Sequence, residues 1–566
     1  MGDGSGNTSA TTAATASKVS EAIDQYAENV RKFRAGELSP EQFRPLRLGM
    51  GVYAQLAHVK HMQRIKIPGG RLTASQLEAL ADVTDRWGLG LAHVTTRQDI
   101  QLHHLDIEES VEVQRYLAEA GVVTVGACAD SVRNVTASHY AGVIEDEVFD
   151  VTPYAHAVSS HLMFHAQNRR LPRKFKIGLS GSERDLAQAM INDIGLFARV
   201  TDEGLGFRVY VAGGLGSTPE IAHLWREFIP EREVLLACEA VMGVFFTDGE
   251  RKNRKKARLK FLLRKLGEEA FMRRLDEELD RLKQSQGQAS EEALRRYMAE
   301  FQENEPPPAL PGGGDALGDA AFARWKRTNA LAQKQAGYRV VTIKLPLGDV
   351  TGEQLRRLGQ VSREFGNGEV RTTNGQNLVM RWVPEGKLVP LYRALALIGL
   401  SEPDAGLITD VVACPGLDYC ALAITKSMGV GARIREHLAP RGTPAEADDL
   451  VRAIGLFEIK ISGCPNSCGQ HHVADIGMTG LMIKDKEGVE RPYYSLRVGG
   501  GCGLDARIGD RLDGRVPEAE TPKVVAAIAR HYVEERGEGE SFREFVQRKG
   551  VQEITRVGFS AAEGII

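Results

Sequence analysis

A chain of 566 residues, 26% charged and 42% hydrophobic, has the composition of a globular protein of about three or four domains. Its 72 basic and 75 acidic residues leave a net charge of −3, which excludes a generally basic nucleic-acid coat and an acidic tail but not a local basic pocket. No apolar run approaches a membrane span and no basic-then-apolar leader opens the sequence; seven cysteines are too few for a disulfide scaffold. A reducing, cytoplasmic setting is therefore expected.

In chain order, residues 1–18 are Gly, Ser, Thr and Ala with almost no large apolar side chain, and read as a disordered tail. Residues 66–77, KIPGGRLTASQL, return at 344–355 as KLPLGDVTGEQL. Lys66 and Lys344 are 278 apart, as are Pro68 and Pro346, Gly70 and Gly348, Thr73 and Thr351, Gln76 and Gln354, and, further on, Thr95 and Thr373 and Gln98 and Gln376. Such an ungapped offset predicts two copies of one unit. Each reads as strand, glycine turn, Thr-started helix and second strand, an α+β pattern with a pseudo-twofold pairing of halves.

Between the copies lie cationic segments: SVRN with Arg133, LPRKFKIG with Lys174 and Lys176, and the run RKNRKKARLK at 251–260. Strand alternation puts Lys174 and Lys176 on one face and Phe175 on the other, and two ammonium groups held together need an anion. Residues 251–300 read as a charged helix with Phe271, Leu275, Leu279 and Leu282 on one stripe. EPPPALPGGGDALG at 305–318 reads as a linker.

Four cysteines fall in two pairs after the second copy: Cys414 and Cys420 in ACPGLDYCALA, Cys464 and Cys468 in ISGCPNSCGQHH. The x5 spacing suits zinc poorly, whereas a four-iron cluster accepts thiolates from separated loops. Flanking glycines let backbone amides approach the sulfur. Cys128, Cys238 and Cys502 are isolated and read as core thiols. Two other classes fit parts of this pattern: an iron–sulfur carrier or redox sensor, for which the cations have no role, and a zinc-stabilised nucleic-acid module, which the net charge and the x5 spacing disfavour. No Gly-rich dinucleotide fingerprint is followed by an acid about 20 residues on, so electrons are expected from another protein.

The cysteine pairs, the two K-[IL]-P-x-G repeats, VTTRQ, SVRN and LPRKFK, in this order, resemble the sirohaem-dependent sulfite and nitrite reductases over about residues 40–560. The resemblance implies a [4Fe–4S] cluster on Cys414, Cys420, Cys464 and Cys468, with Cys468 also bridging to the sirohaem iron. It implies substrate-side cations at Arg64, Arg133, Lys174 and Lys176, and macrocycle contacts at Arg97, Gln101, Lys256 and Arg258. The implied fold is α+β: two pseudo-twofold-related ferredoxin-like units (19–125 and 331–405) plus two α/β domains for sirohaem and cluster (126–330 and 406–566). The implied activity is six-electron reduction of sulfite, with nitrite as the alternative, fed by ferredoxin. Lysine at both positions of LPRKFK favours sulfite, because a second cation compensates a dianion better than a monoanion.

Overall fold

The computed structural model describes residues 13–55, 59–312, 319–440, 449–484 and 488–566. The first helix, Ala13–Arg34, begins inside the segment expected to be a tail. Val19, Ile23, Tyr26 and Val30 explain why: they recur at helical spacing and are all buried. Residues 1–12 lie outside the described residues, as do 313–318 of the expected linker. Its Pro-rich start is tied down, with the Pro307 carbonyl accepting from Tyr338 at 2.5 Å and the Leu310 carbonyl from the Gly386 amide at 3.0 Å.

The two repeat units pair as the offset predicts, and their sheets exchange strands. The first sheet runs Val52–Ala54, His61–Ile65, Ile100–Leu105, Leu91–Val94 and then Asp349–Thr351, which comes from the second copy. The second runs Ala330–Ala332, Tyr338–Ile343, Leu378–Pro384, Glu369–Thr372 and then Arg71–Thr73 from the first. The registers mirror each other: Asp349 faces His93 and Arg71 faces Arg371, each member displaced by 278. Each exchanged strand follows a tight turn that needs glycine. At Gly70 (φ 74°) a Cβ would lie 2.5 Å from the Thr372 carbonyl oxygen, and at Gly348 (φ 83°) 2.7 Å from that of Val94. Thr73 and Thr351 then cap helices Ala74–Trp87 and Gly352–Phe365 in matching capping boxes with Gln76 and Gln354. Leu77, Leu80, Leu355 and Leu358 of these helices share one core.

A second duplication appears in the α/β domains. The middle sheet runs Val132–Ala137, Phe175–Ser180 and Ile194–Thr201 in parallel, followed by antiparallel Gly204–Val211 and His223–Pro230. The C-terminal sheet repeats that order with Val412–Ala413, Ile459–Ser462 and Ile476–Lys484 in parallel and then antiparallel Glu490–Val498. Residues 180–188, SGSERDLAQ, thereby take the place of 462–470, SGCPNSCGQ, with Ser182 and Leu186 where the second copy has Cys464 and Cys468. The Asp193 carboxylate accepts the Lys176 amide and Asp475 accepts that of Glu458, both pairs at 2.8 Å and 282 residues apart.

The charged segment before the linker divides into a short turn Arg254–Lys256, a helix Leu259–Leu266 and a long helix Glu268–Glu300. Phe271, Leu275, Leu279 and Leu282 are buried in the middle domain's core, while most charged residues of the helix stay exposed on its other faces. Among the described residues no helix is long and apolar enough to cross a membrane.

Candidate active site

The four paired cysteines sit in loops at the carboxyl ends of the first two parallel strands of the C-terminal sheet, where such sheets leave an open crevice. Cys414 directly follows Val412–Ala413, and the Cys464–Cys468 loop follows Ile459–Ser462. The Gly463 amide donates to Cys414 Sγ at 3.2 Å, and Ser427 Oγ lies 3.3 Å from it. Burial pushes Cys414 up to about 12, despite amide donation from Gly463 and Gly416 and the hydrogen bond from Ser427. Burial likewise raises Cys420 against the amides of Leu422 and Ala423, and Cys464 against that of Asn466. Donors aimed at sulfur in a desolvated pocket favour thiolate once a metal supplies positive charge. The charge of Cys468 acts on all three other thiols, yet among the described residues no three His, Cys, Asp or Glu groups converge on a single ion.

The cations come from the opposite, amino ends of the parallel strands in the middle copy. Arg133 is the second residue of Val132–Ala137 and Lys176 the second of Phe175–Ser180, with Lys174 just before it. Phe175 is fully buried on the other face, while Lys174 and Lys176 are half-buried. The first repeat unit adds Arg64 and Gln101 from adjacent strands; Gln101, with its amide oxygen turned to Arg64, accepts from Nη2 at 2.7 Å and Nε at 3.3 Å. Arg133 donates to the Ala127 carbonyl at 2.9 Å and to the Tyr53 hydroxyl at 3.3 Å.

The turn at 95–99 stitches the two groups together. Thr96 Oγ1 donates to the Cys468 carbonyl at 2.8 Å, and Gln470 returns a bond to the Thr96 carbonyl at 3.1 Å. Arg97 extends from this turn to Asn192 at 2.8 Å and the Asn134 carbonyl at 2.5 Å. Arg258 is buried on Asp193 at 2.9 Å, whereas Lys256, two residues earlier, is exposed.

The charges of these groups act on one another. Burial lowers Lys174 to about 8, with Cys468 opposing the shift and Arg258 and Arg133 adding to it. Lys176 is driven well below its ordinary range by burial, then by Arg97 and Lys174. Burial lowers Arg97 to about 10. For Arg64, burial acts downward, but Cys128, Asp99, Tyr53 and Cys468 outweigh it and hold the group above its usual value. Lys66, which the sequence places beside Arg64 before the first glycine turn, is also buried and lowered to about 8, first by burial and then by Arg133 and Arg97. Cys128, read as a core thiol, is indeed buried but feels Arg64 and Arg133. Asp99 and Asp193 were missed as well. The acid that closes VTTRQD among so many cations is the signal that could have found Asp99.

Paired ferredoxin-like halves, a duplicated α/β domain and four thiols beside a cation-lined pocket define an iron–sulfur oxidoreductase. The family model "Nitrite and sulphite reductase 4Fe-4S domain" matches residues 128–283 and 405–558, the two copies of the α/β domain. The "Nitrite/Sulfite reductase ferredoxin-like half domain" matches 55–120 and 331–398. The chain belongs to the nitrite and sulfite reductase family. It is 31% identical to a ferredoxin–nitrite reductase of Synechococcus elongatus, over 83% of this chain and 85% of the relative. It is 29% identical to a sulfite reductase [ferredoxin] of Mycobacterium tuberculosis, over 86% and 82%. The solved structure of the M. tuberculosis NirA protein superposes with a TM-score of 0.76 at 27% identity, covering 91% of this chain and 92% of that one.

The cofactors of this family are sirohaem and a [4Fe–4S] cluster, and the residues present fit both. The amide-lined thiols suit the cluster. Among the described residues, the ammonium groups of Lys66, Lys174 and Lys176 have no ion-pair partner, and the buried Nε atoms of Arg97 and Arg258 have no acceptor. A polycarboxylate macrocycle and a small oxyanion supply what such a set lacks.

Proposed function

We propose that this protein reduces sulfite to sulfide with electrons from ferredoxin. The observation that carries the reading is the Lys174–Lys176 pair, on one face of a strand start, within electrostatic reach of Cys468 and without a carboxylate of its own. In this reading Cys414, Cys420, Cys464 and Cys468 hold the cluster, with Cys468 at the junction with the macrocycle. Arg97, Gln101 and Arg258, and Lys256 from its exposed turn, face the macrocycle's carboxylates. The cofactors, when bound, deliver six electrons one at a time to the bound anion.

The chain's own residues do the rest. Arg64 and Arg133 clamp the anion, because guanidinium stays charged and offers paired donors. Lys174 and Lys176 neutralise the charge on the oxygens and give up protons as each oxygen leaves as water; their lowered proton affinity suits that transfer. Relatives named for ferredoxin support that donor, and the exposed Leu422, two residues beyond Cys420, leaves that loop open to a docking protein.

Nitrite reduction to ammonia is the second reading, favoured by relatives of that name at similar identity. Purified enzyme assayed with reduced ferredoxin should favour sulfite in kcat/KM, and Lys176→Asn should move the preference toward nitrite. A tenfold preference of the parent for nitrite would reverse the assignment.

A further inference from the structure

Two buried carboxylates stand among the cations of the pocket, and they are placed differently. Asp193 is built into the scaffold, its Oδ2 accepting both the Lys176 amide at 2.8 Å and Arg258 at 2.9 Å. Asp99 is 2% exposed, its Oδ2 stands 3.8 Å from Arg64 Nε, and its Oδ1 has no hydrogen-bond partner among the described residues. Arg64, Arg97, Arg133 and Lys66 all act on its charge. An ionised carboxylate held this way is costly unless the surrounding charge requires it.

The internal repeat shows that the fold does not require it. The position equivalent to Asp99 in the second copy is Asn377, in the same turn. Thr95 donates its amide to the Asp99 carbonyl at 2.8 Å and Thr373 to that of Asn377 at 2.9 Å. The amides of Asp99 and Asn377 return to the threonine hydroxyls at 3.1 and 3.0 Å. Asn377 sits among different partners: its side chain accepts from the Leu345 amide at 2.8 Å and donates to Asp410 at 2.7 Å. The turn therefore needs a side chain of this shape, and only the copy that faces the pocket carries a charge.

We propose that Asp99 is a specificity-determining residue whose carboxylate trims the positive charge of the oxyanion pocket and steadies Arg64, so that the pocket favours a doubly charged oxyanion over a singly charged one less than its cations alone would. The inference rests on the reading of this pocket as the oxyanion site.

The test is titration of oxidised holoenzyme with sulfite and with nitrite at alkaline pH, where sulfite is a dianion, followed by the visible spectrum. Removing one negative charge strengthens attraction in proportion to ligand charge. Asp99→Asn should therefore tighten nitrite about threefold and sulfite about tenfold, the square of that factor. Asp99→Glu, which keeps the charge, should leave the sulfite-to-nitrite ratio of dissociation constants as in the parent. If Asp99→Asn loads cofactor but leaves the ratio unchanged, the inference is overturned while the oxyanion reading stands. If the parent binds neither anion, both fall together. Asp99→Ser makes the same charge change should the asparagine variant not load, and failure of both to fold would make Asp99 a structural residue and overturn the proposal.

Discussion

Gln98 and Gln376, 278 positions apart, hold the two halves of the molecule to each other by the same bond. Gln98 Nε2 donates to the Thr372 carbonyl at 2.9 Å and Gln376 Nε2 to the Val94 carbonyl at 3.0 Å. Each amide oxygen clamps the end of a parallel strand in the adjoining α/β domain, Gln98 on the Ala137 amide at 3.0 Å and Gln376 on that of Ala413 at 2.9 Å. Both residues adopt positive φ, 60° and 63°, to reach these partners.

Because Ala413 precedes Cys414, the two clamps should differ in consequence. Gln376→Ala should destabilise by about 2–3 kcal/mol through unsatisfied buried groups and also lower iron and acid-labile sulfide. Gln98→Ala should cost similar stability with iron retained. Equal iron content in both variants would refute the link between the clamp and the cluster loop.

Substituting any of Cys414, Cys420 or Cys464 by alanine should remove the cluster, since each thiol lies in an amide-lined loop built for thiolate. Cys468→Ala should do so while also altering the haem-like bands, because this residue adjoins the cation pocket. Iron analysis and visible spectra of the four variants check this; a full cluster complement in any of them would remove that cysteine from the ligand set.

Lys66 and Lys174, both lowered to about 8, bind anions only when protonated. The KM for the oxyanion should therefore climb as pH rises through about 8, or somewhat above it once cofactor carboxylates stabilise the ammonium forms. A KM that stays flat between pH 7 and 10 would count against these lysines as substrate cations.

Glu303 joins the exit of the long helix to the second repeat unit, accepting from Arg381 and from Arg371 at 3.1 Å. Burial acts to raise its carboxyl, but Arg381 and Arg371 overcome this and hold it at about 2. A folded pKa below the unfolded one means stabilisation above about pH 4.5 that is lost as pH falls through about 2. Glu303→Gln should therefore cost up to about 3 kcal/mol at neutral pH, a deficit shrinking in acid. Urea unfolding at pH 7 and pH 3 measures it, and an equal deficit at both would show that the ion pairs are not its source.

The sequence alone determined the internal repeat, the paired helices and their caps, and the grouping of four cysteines apart from three, because these depend on local spacing and residue type. The 278-residue offset in turn residues such as Gly70 and Gly348 marked the duplication before any coordinates. Only the tertiary structure decided that the short strands Arg71–Thr73 and Asp349–Thr351 trade sheets, since pairing between distant segments leaves no periodic trace. The second duplication is fainter in the sequence: Ser182 and Leu186 stand where Cys464 and Cys468 do, and strand order survives where side chains have diverged. The pocket, too, is a product of packing. Arg64, Arg97, Arg133, Lys174 and Lys176 come from four separate stretches of a chain with net charge −3, and only their convergence in a desolvated space, with Asp99 among them, turns scattered surface-type residues into an anion site.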